Sequence, residues 1–329
     1  TFVTYSSASI SYLGISSTSY DSLTKSSASV SYVGKSSSTG SSIYPATATA
    51  QFPYGLNSAG LFWVSRTTYT TDNQWRSMAY GNGVFVVVGG SSGGAMSSND
   101  GINWIDRTVP NSNYTSVTFG NGLFVAVAQS GTQRVIISTD GITWYGQLAA
   151  NAYTWQGVAY GNGIFVAVAN SGTGNRVMTS VDGSSWTART SLNDNNWNSV
   201  TYGNGKFVAC ASFVSGQRIM YSTYGITWSG ATTATSNSLA SITYGNGVFV
   251  IVSDGTGDNV ETSFDGITWT SRVPAENNSW RSVIYGDGLF AAVSSNGTNR
   301  VMVSTNAINW TAVAAAAANQ WFGIGYGNG

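Results

Sequence analysis

The chain has 329 residues, enough to bury a large core without disulfides. Thirteen Lys and Arg residues balance thirteen Asp and Glu residues, and charged residues make up only 8% of the chain, against roughly a quarter in an ordinary soluble domain. This composition excludes electrostatic binding to nucleic acid or to an anionic membrane as the main role. Histidine is absent, which excludes Ser-His-Asp and Cys-His catalysis and histidine-based zinc sites.

Residues 1–45 differ in composition from the rest of the chain. They are rich in Ser, Thr and Tyr, contain no Trp, and carry only Asp21, Lys25 and Lys35 as charges. A seven-residue segment, 8–14, recurs in nearly the same form at 28–34. Alternation of Ile, Val and Tyr with Ser favours an extended conformation over a helix. We therefore predict an extended arm over 1–45 that serves in docking or oligomerisation, and a separate domain over 46–329.

Residues 46–329 contain an internal repeat of about 40 residues. Gly-Asn-Gly, once Gly-Asp-Gly, recurs at intervals of 39 to 42 residues. A second pattern, Ser-x-Asp-Gly-x-x-Trp, recurs in parallel with it. The Gly-Asn-Gly copies start at Gly81, Gly120, Gly161, Gly203, Gly245, Gly286 and Gly327.

One repeat unit has the pattern of four short strands. Residues 155–160 alternate and end at a Gly-Asn-Gly turn, and residues 164–169 form a continuous apolar run typical of a strand buried on both faces. Residues 176–180 follow a glycine-rich turn, and Asp182-Gly183 then makes a tight turn into a strand that carries Trp186. Four strands per repeat, with no helical periodicity, predict an all-β fold of the β-propeller type.

The ends of the chain complete the predicted ring. The C-terminus supplies one further first strand, 321–326, and its partners are expected near the N-terminus. Residues 61–66 resemble a fourth strand and residues 46–52 a third. The sequence thus predicts seven blades, the last closed by pairing N-terminal with C-terminal strands.

The Ser-x-Asp-Gly-x-x-Trp pattern resembles the Asp-box (BNR) repeats of sialidase-like propellers, over roughly residues 57–329. The resemblance implies that the box is a structural turn between the third and fourth strands, away from any active site. The residues support the same role, because an Asp carboxylate can accept backbone N–H bonds within its own turn. The acid is present at Asp100, Asp140, Asp182 and Asp265, and is replaced by Tyr224 and Asn306 in two copies.

The residues that a sialidase requires are not brought together by the repeat. Such an enzyme needs three convergent arginines, whereas Arg134, Arg176, Arg218 and Arg300 occupy equivalent positions of successive blades. The alternative glycosidase route needs two carboxylates about 5 to 10 Å apart, and Glu261 and Glu276 form no evident pair. We therefore predict no enzymatic activity, no catalytic residues and no cofactor, and keep a sialidase-like hydrolase as the remote alternative.

The loops that precede the first strands are rich in Asn and end in an aromatic residue. Aromatic faces beside side-chain amides are suited to binding sugar rings. The competing interpretation, which we favour, is that these aromatics are wedges buried between neighbouring blades. The glycan-binding candidates are Trp75, Tyr114, Trp155, Trp197, Trp280 and Trp321.

One glycine-rich turn carries two carboxylates, Asp254 and Asp258, and calcium prefers oxygen ligands in such turns. Equivalent turns in other blades carry no acid. The turn therefore needs no metal, and we predict none, with these two residues as the only calcium candidates.

The repeat Gly-Asn-Gly-x-Phe-Val-Ala-Val followed by Ser-x-Asp-Gly-Ile-Thr-Trp is also similar to repeats common in tailed-phage virion proteins and bacterial surface proteins. The resemblance implies a non-enzymatic virion surface protein, a capsid decoration or a tail or fibre component, anchored through its arm to other virion proteins or to copies of itself. It implies a location on the virion surface or outside the cell. The alternative is a secreted or cell-surface lectin or adhesin that binds host glycans.

Overall fold

The computed structural model describes residues 4–6, 9–11, 29–34, 63–65, 74–90, 94–212, 216–255 and 257–327. All regular elements of these residues are strands, so the all-β class is confirmed. The strands are β1 (Thr4–Ser6), β2 (Ser9–Ser11), β3 (Ser29–Gly34), β4 (Trp75–Gly81), β5 (Val84–Gly89), β6 (Gly94–Ser98), β7 (Ile105–Arg107), β8 (Tyr114–Gly120), β9 (Leu123–Ala128), β10 (Val135–Ser138), β11 (Tyr145–Gln147), β12 (Trp155–Gly161), β13 (Ile164–Ala169), β14 (Val177–Ser180), β15 (Thr187–Arg189), β16 (Asn196–Gly203), β17 (Lys206–Ser212), β18 (Ile219–Ser222), β19 (Ser229–Ala231), β20 (Ser238–Gly245), β21 (Val248–Asp254), β22 (Val260–Ser263), β23 (Thr270–Arg272), β24 (Trp280–Gly286), β25 (Leu289–Ser294), β26 (Val301–Ser304), β27 (Thr311–Val313) and β28 (Trp321–Gly327).

Six antiparallel four-stranded sheets form the blades of a propeller. Blades 1 to 6 are β4–β7, β8–β11, β12–β15, β16–β19, β20–β23 and β24–β27, each with its strands in sequence order. The first strands of the six blades and β28 contact one another in chain order, and β28 also contacts β4, which closes the ring. Within the described residues there is no helix that could cross a bilayer.

The prediction of seven four-stranded blades is wrong, because the described residues form six. At the remaining position β28 pairs with β3, from Trp321 opposite Gly34 to Gly327 opposite Ser29. The error has a physical origin: each Gly-Asn-Gly marks the end of a first strand, so seven copies count seven first strands and not seven complete sheets.

The terminal strands predicted for the missing blade are only partly described. Residues 46–52 lie outside the described residues. Of residues 61–66 the structure describes Trp63–Ser65, which are not in a strand. Trp63 packs against the cluster that contains Trp321 and Ile324. The division of the chain at residue 45 stays a prediction, although β3 comes from the predicted arm.

The Gly-Asn-Gly turns have the backbone that their sequence predicts. Asn162 has φ 48° and Gly163 has φ 80°, so both central residues are left-handed, as a two-residue hairpin of type I′ requires. The second strand that follows, for example β13, is almost entirely buried, because each blade packs between two others.

The core consists of apolar clusters between neighbouring blades. Val166 and Val168 of blade 3 pack with Trp197, Phe207 and Met220 of blade 4 in one such cluster. Equivalent clusters repeat around the ring. Each blade is therefore held mainly by its two neighbours, as in other repeat architectures.

The glycine that ends each first strand accommodates an aromatic ring of the next blade. A Cβ atom at Gly161 would overlap the ring of Tyr202. That ring also packs on Phe207, at 4.8 Å between centroids. The same relation closes the ring in seven steps: Gly81 with Phe119, Gly120 with Tyr160, Gly161 with Tyr202, Gly203 with Tyr244, Gly245 with Tyr285, Gly286 with Tyr326, and Gly327 with Tyr80.

We predict that Gly161→Ala destabilises the protein by about 1 to 3 kcal/mol, because the added methyl forces Tyr202 out of its rotamer or the blades apart. Tyr202→Leu in the same chain removes the collision, so the double variant should lose less stability than the sum of the two single variants. Urea unfolding followed by Trp fluorescence measures the three free energies. Strict additivity would show that the glycine is not needed for this contact.

Candidate functional site

The antiparallel order of the strands gives the propeller two distinct faces. One, the Asp-turn face, carries the Gly-Asn-Gly turns and the Asp-Gly turns. The amide of Asn204, in blade 4, donates to the carbonyl of Phe264, in blade 5, at 3.1 Å, which joins the two kinds of turn. The other, the loop face, carries the connections from second to third strands and from one blade to the next.

The six glycan-binding candidates lie in the blade interfaces on the loop-face side. Their side chains are 0 to 5% exposed. The indole N–H of Trp155 donates to the carbonyl of Asn151 at 3.1 Å, and that of Trp197 donates to Asn193 at 3.2 Å. Since a ring without an exposed face cannot stack on a sugar, glycan binding would need other side chains. The six residues are Trp75, Tyr114, Trp155, Trp197, Trp280 and Trp321.

Polar side chains on the loop face form a hydrogen-bonded relay from blade to blade. The guanidinium of Arg176, in blade 3, donates to the carbonyl of Asn195 at 2.9 Å. The amide of Asn195, which is 2% exposed, then donates to the carbonyl of Gln217, in blade 4, at 2.7 Å. The loop between blades 3 and 4 is thereby tied to the blade before it and to the blade after it.

The relay repeats with different residues. The guanidinium of Arg218 donates to the carbonyl of Asn237, and the side-chain amide of Asn237 donates to the backbone carbonyl of Asp258. In blade 5 an asparagine, Asn259, replaces the arginine and donates to Asn278 at 3.2 Å. Four further side chains donate to backbone carbonyls in the same way: Asn278 to Asn299, Arg300 to Asn319, Ser112 to Gln133 and Arg134 to Tyr153. The repeated arginines therefore bind backbone of their own and adjacent loops and form no convergent anion site.

The two glutamates serve separate loops. Glu261 is 1% exposed in β22 and accepts bonds from the backbone N–H groups of Ala234 and Thr235, at 2.9 and 3.1 Å. Glu276 accepts from the backbone N–H of Asn299 at 3.0 Å.

Burial, and then the nearby Glu261 carboxylate, raise the pKa of the Cys210 thiol, which therefore stays protonated and inert.

The two calcium candidates are used in other ways. Asp254 forms an ion pair with Arg281 at 3.0 Å. The Asp258 carbonyl accepts the amide of Asn237. Among the described residues, no group of three or more His, Cys, Asp or Glu side chains could hold a metal ion.

The Asp-Gly turns on the opposite face form compact hydrogen-bonded units. Asp182 Oδ1 accepts the backbone N–H groups of Ser184 and Ser185, at 2.9 and 2.8 Å, and the hydroxyl of Ser180 at 2.9 Å. The indole of Trp186 donates to the carbonyl of Gly183 at 2.8 Å. Gly183 has φ 72°, which the turn requires. Equivalent bonds form at Asp100, Asp140 and Asp265.

In these turns the Asp carboxylate accepts several hydrogen bonds, which favour its ionised form. Backbone N–H bonds from Ser185 and Ser184 hold the pKa of Asp182 well below its usual range. At Asp265 burial raises the pKa, but hydrogen bonds outweigh it and lower the value from 3.8 to about 2. Asn306 accepts the same two backbone bonds with a neutral amide, at 2.9 Å each.

The Asp-turn face exposes apolar side chains at repeated positions. Ile102, Ile142, Ile226, Ile267 and Ile308 follow the turn glycine, or Ala307 in blade 6, and are 37 to 49% exposed. Only isolated exposed apolar residues are usual on a protein surface. Their recurrence on one face, in blades 1, 2, 4, 5 and 6, is a feature that the sequence-based predictions did not include, although the repeated Ile after Asp-Gly was a signal for it.

At blades 4 and 5 an exposed aromatic residue within the turn accompanies the isoleucine. Tyr224, in the position of the turn Asp, is 63% exposed, and Phe264 is 68% exposed. A groove of about 410 Å³ lies beside Tyr224 and Ile226, and one of about 330 Å³ lies beside Ile267 and Thr233. We call Tyr224, Ile226, Phe264 and Ile267 the blade 4–5 patch, and it is the candidate functional site.

No protein-family model and no curated protein matches this sequence. Among solved structures, a catalytically inactive histidine-to-alanine variant of virginiamycin B lyase from Staphylococcus aureus, with quinupristin, has a TM-score of 0.68 at 13% identity over 79% of this chain and 93% of the lyase. A streptogramin B lyase has a TM-score of 0.65 at 11% identity over 76% and 86%. YCF48 bound to a D1 peptide has a TM-score of 0.53 at 15% identity over 69% and 77%.

These similarities show the β-propeller fold with repeated blades. They link the chain neither to Asp-box families nor to virion proteins. They also show that similar propellers include enzymes and a protein that binds a peptide.

We predict that Asp182→Ala lowers the free energy of unfolding by about 1 kcal/mol, since two backbone N–H groups lose their protein acceptor. Asp182→Asn should cost less than Asp182→Ala, because an amide oxygen accepts the same bonds at Asn306, although it loses the charge that these bonds favour. Chemical denaturation of both variants at pH 7 tests this. Equal losses would mean that the negative charge itself is required.

The depressed pKa of Asp265 predicts a pH dependence. Its folded value, about 2, lies below its usual 3.8, so its contribution to stability is complete above about pH 4 and is lost as the pH falls toward 2. Between pH 5 and 2 the wild type should lose stability more steeply than Asp265→Asn. Parallel pH profiles of the two proteins in thermal unfolding would contradict this assignment.

Proposed function

We propose that this chain is a non-enzymatic structural protein of a virion surface, a capsid decoration or a tail or fibre component, that binds protein partners. The partners are other virion proteins or copies of the same chain, and the N-terminal residues provide attachment. The resemblance of the repeat pattern described above supports the virion location. The observation that carries the protein-binding role is the blade 4–5 patch with its two grooves.

The lack of charge in the two grooves supports a protein partner. Ser, Thr, Gly and apolar residues line both grooves, which contain no ionisable group except the phenols of Tyr221 and Tyr224. Aromatic residues are enriched in protein interfaces, where charged residues are depleted. A similar propeller, YCF48, is known with a bound peptide, so the fold is compatible with recognition of polypeptide.

The proposal that the chain is not an enzyme is supported by how its polar groups are used. The arginines and glutamates of the loop face bind backbone within the protein. The similar virginiamycin B lyase is inactive when one histidine is replaced by alanine, and this chain contains no histidine. The histidine on which that lyase depends therefore has no equivalent in this sequence.

Sedimentation in a density gradient tests the proposal. We expect the wild-type chain, expressed in its source, to move with a large particle whose proteins mass spectrometry identifies. Phe264→Ser with Ile267→Ser should shift the chain toward the top of the gradient, because it removes apolar contact area. Deletion of residues 1–27, which keeps β3, should do the same by removing the attachment segment.

The matched control is Tyr145→Ser with Val273→Ser, two side chains 62 and 70% exposed that lie outside the patch. This control should sediment as the wild type does, and all variants should keep a thermal midpoint within a few degrees of it. Wild-type chain that never leaves the top of the gradient would refute the proposal. If the patch variant sediments as far as the wild type, the blade 4–5 patch is not part of the binding surface.

A further inference from the structure

The N-terminal residues contain the same short segment twice. Residues 8–14 read Ala-Ser-Ile-Ser-Tyr-Leu-Gly, and residues 28–34 read Ala-Ser-Val-Ser-Tyr-Val-Gly. The two differ only by Val for Ile and Val for Leu, which are both exchanges between apolar side chains. Neither copy carries a charge.

The second copy has a defined place in the ring. Its residues Ser29–Gly34 are β3, which pairs with β28 over six positions. The register equals that of a second strand in a complete blade: Val30 lies opposite Tyr326 as Phe85 lies opposite Tyr80. The second copy therefore occupies the position of a second strand, although no Gly-Asn-Gly turn joins it to its partner.

The last residue of the segment meets a repeated requirement. Gly34 lies opposite Trp321, at the bulge of β28. A small residue lies opposite the corresponding first-strand residue in each blade: Gly89, Ala128, Ala169, Ala211, Ser253 and Ser294. The first copy also ends in glycine, Gly14. Both copies thus satisfy the pairing requirements of β28.

The β28 edge needs a partner strand. Trp321 and Ile324 are each 5% exposed, and β28 lies between β24 and β4 in the closed ring. If β28 had no partner strand, its backbone N–H and C=O groups on that edge would be buried without hydrogen bonds, which is unfavourable. Within the described residues β3 alone fills this role, and it is held by backbone pairing without a tight connecting turn.

We propose that the β28 edge is a strand-acceptor site for the repeated segment, and that both copies, 8–14 and 28–34, are its alternative ligands. In the structure the second copy is bound, while Ser9–Ser11 of the first copy pairs with Thr4–Ser6 in a short hairpin. When the second copy is displaced, the first takes its place in the same register. This inference concerns the ring alone and does not depend on the proposed function.

The length of the intervening chain permits the exchange. Binding of the second copy leaves residues 35–62 between the site and Trp63, and binding of the first copy leaves residues 15–62. Loop-closure entropy depends only on the logarithm of length, so the longer connection weakens binding by about twofold. The hairpin that the first copy gives up has only three residue pairs.

Hydrogen exchange of full-length variants tests the proposal. The double substitution Val30→Pro and Val33→Pro blocks pairing of the second copy. Successive residues of a strand direct their N–H groups to alternate sides, so one of these two residues must donate to β28, and proline has no N–H to donate. We expect the β28 amides, 321–327, to exchange within about tenfold of the wild-type rate, because the first copy replaces the second. The matched control, Ile10→Pro with Leu13→Pro, should leave the rate unchanged. All four prolines together should accelerate exchange at least about a hundredfold.

The second-copy variant alone decides the outcome. If its β28 amides already exchange as fast as those of the four-proline variant, or if the variant unfolds, the first copy does not bind and the proposal is overturned. Equal protection in all variants would also overturn it, because β28 would then need neither copy. Protection of β13 serves as the internal measure of folding.

A second measurement locates the first copy directly. A photoreactive phenylalanine analogue in place of Tyr12 should cross-link to residues 321–327 in the second-copy proline variant. In an otherwise wild-type chain the same cross-link should be at least about threefold weaker, because the second copy competes with an advantage of about twofold or more. Cross-links confined to other strands would overturn the proposal.

Discussion

The structure depends on the close approach of neighbouring first strands around the ring axis. At one end of each strand a glycine accepts an aromatic ring of the next blade, in a series that closes through Gly327 and Tyr80. Midway along the strand a serine takes part: the hydroxyl of Ser199 accepts the backbone N–H of Ile242 at 3.3 Å, and Ser77, Ser116 and Ser241 act in the same way. Larger residues would separate the strands, so glycine and serine here set the radius of the ring.

The same close packing explains how a propeller with so few charges uses them. Each connecting loop must satisfy its backbone carbonyls between two blades, and a guanidinium with five donors can serve several of them at once. Arg134 binds the carbonyls of Gln129, Gly131 and Tyr153. The charged side chains of the loop face are therefore largely engaged in hydrogen bonds within the protein. The Asp-turn face carries the turn carboxylates, such as Asp182, together with exposed apolar residues.

The sequence predicted those features that depend on local chemistry. Gly-Asn-Gly and Asp-Gly specify their turns through positive φ angles, and the run Ile164–Ala169 specifies a strand buried on both faces. The burial of Trp155 was one of two interpretations that the sequence left open. The features that it missed depend on pairing between distant segments. The pairing of β3 with β28 uses backbone bonds, which most sequences can make, and the relay through Asn195 uses carbonyls that leave no trace in the sequence.

The positions at which a repeat departs from its own pattern are the most informative about function. A residue common to every blade serves the scaffold, and in blades 4 and 5 several such residues are replaced. Tyr224 stands in place of the turn Asp, Leu239 in place of the interface aromatic, and Asn259 in place of the arginine. Glu261 stands where the other third strands carry Met or Ile: Met96, Ile136, Met178, Met220 and Met302.

Two of these replacements bear on the patch itself. Tyr224 exchanges a carboxylate that organises its turn for a phenol ring that is 63% exposed, while Trp228 still donates to the carbonyl of Gly225 at 3.2 Å. The turn thus survives the loss of its acid, and the substitution adds apolar surface beside the larger groove. Glu261 binds the loop at Ala234 and Thr235, next to Thr233 of the smaller groove. Blades 4 and 5 therefore combine a retained scaffold with altered surface chemistry, which is the arrangement expected where a repeat protein meets its partner.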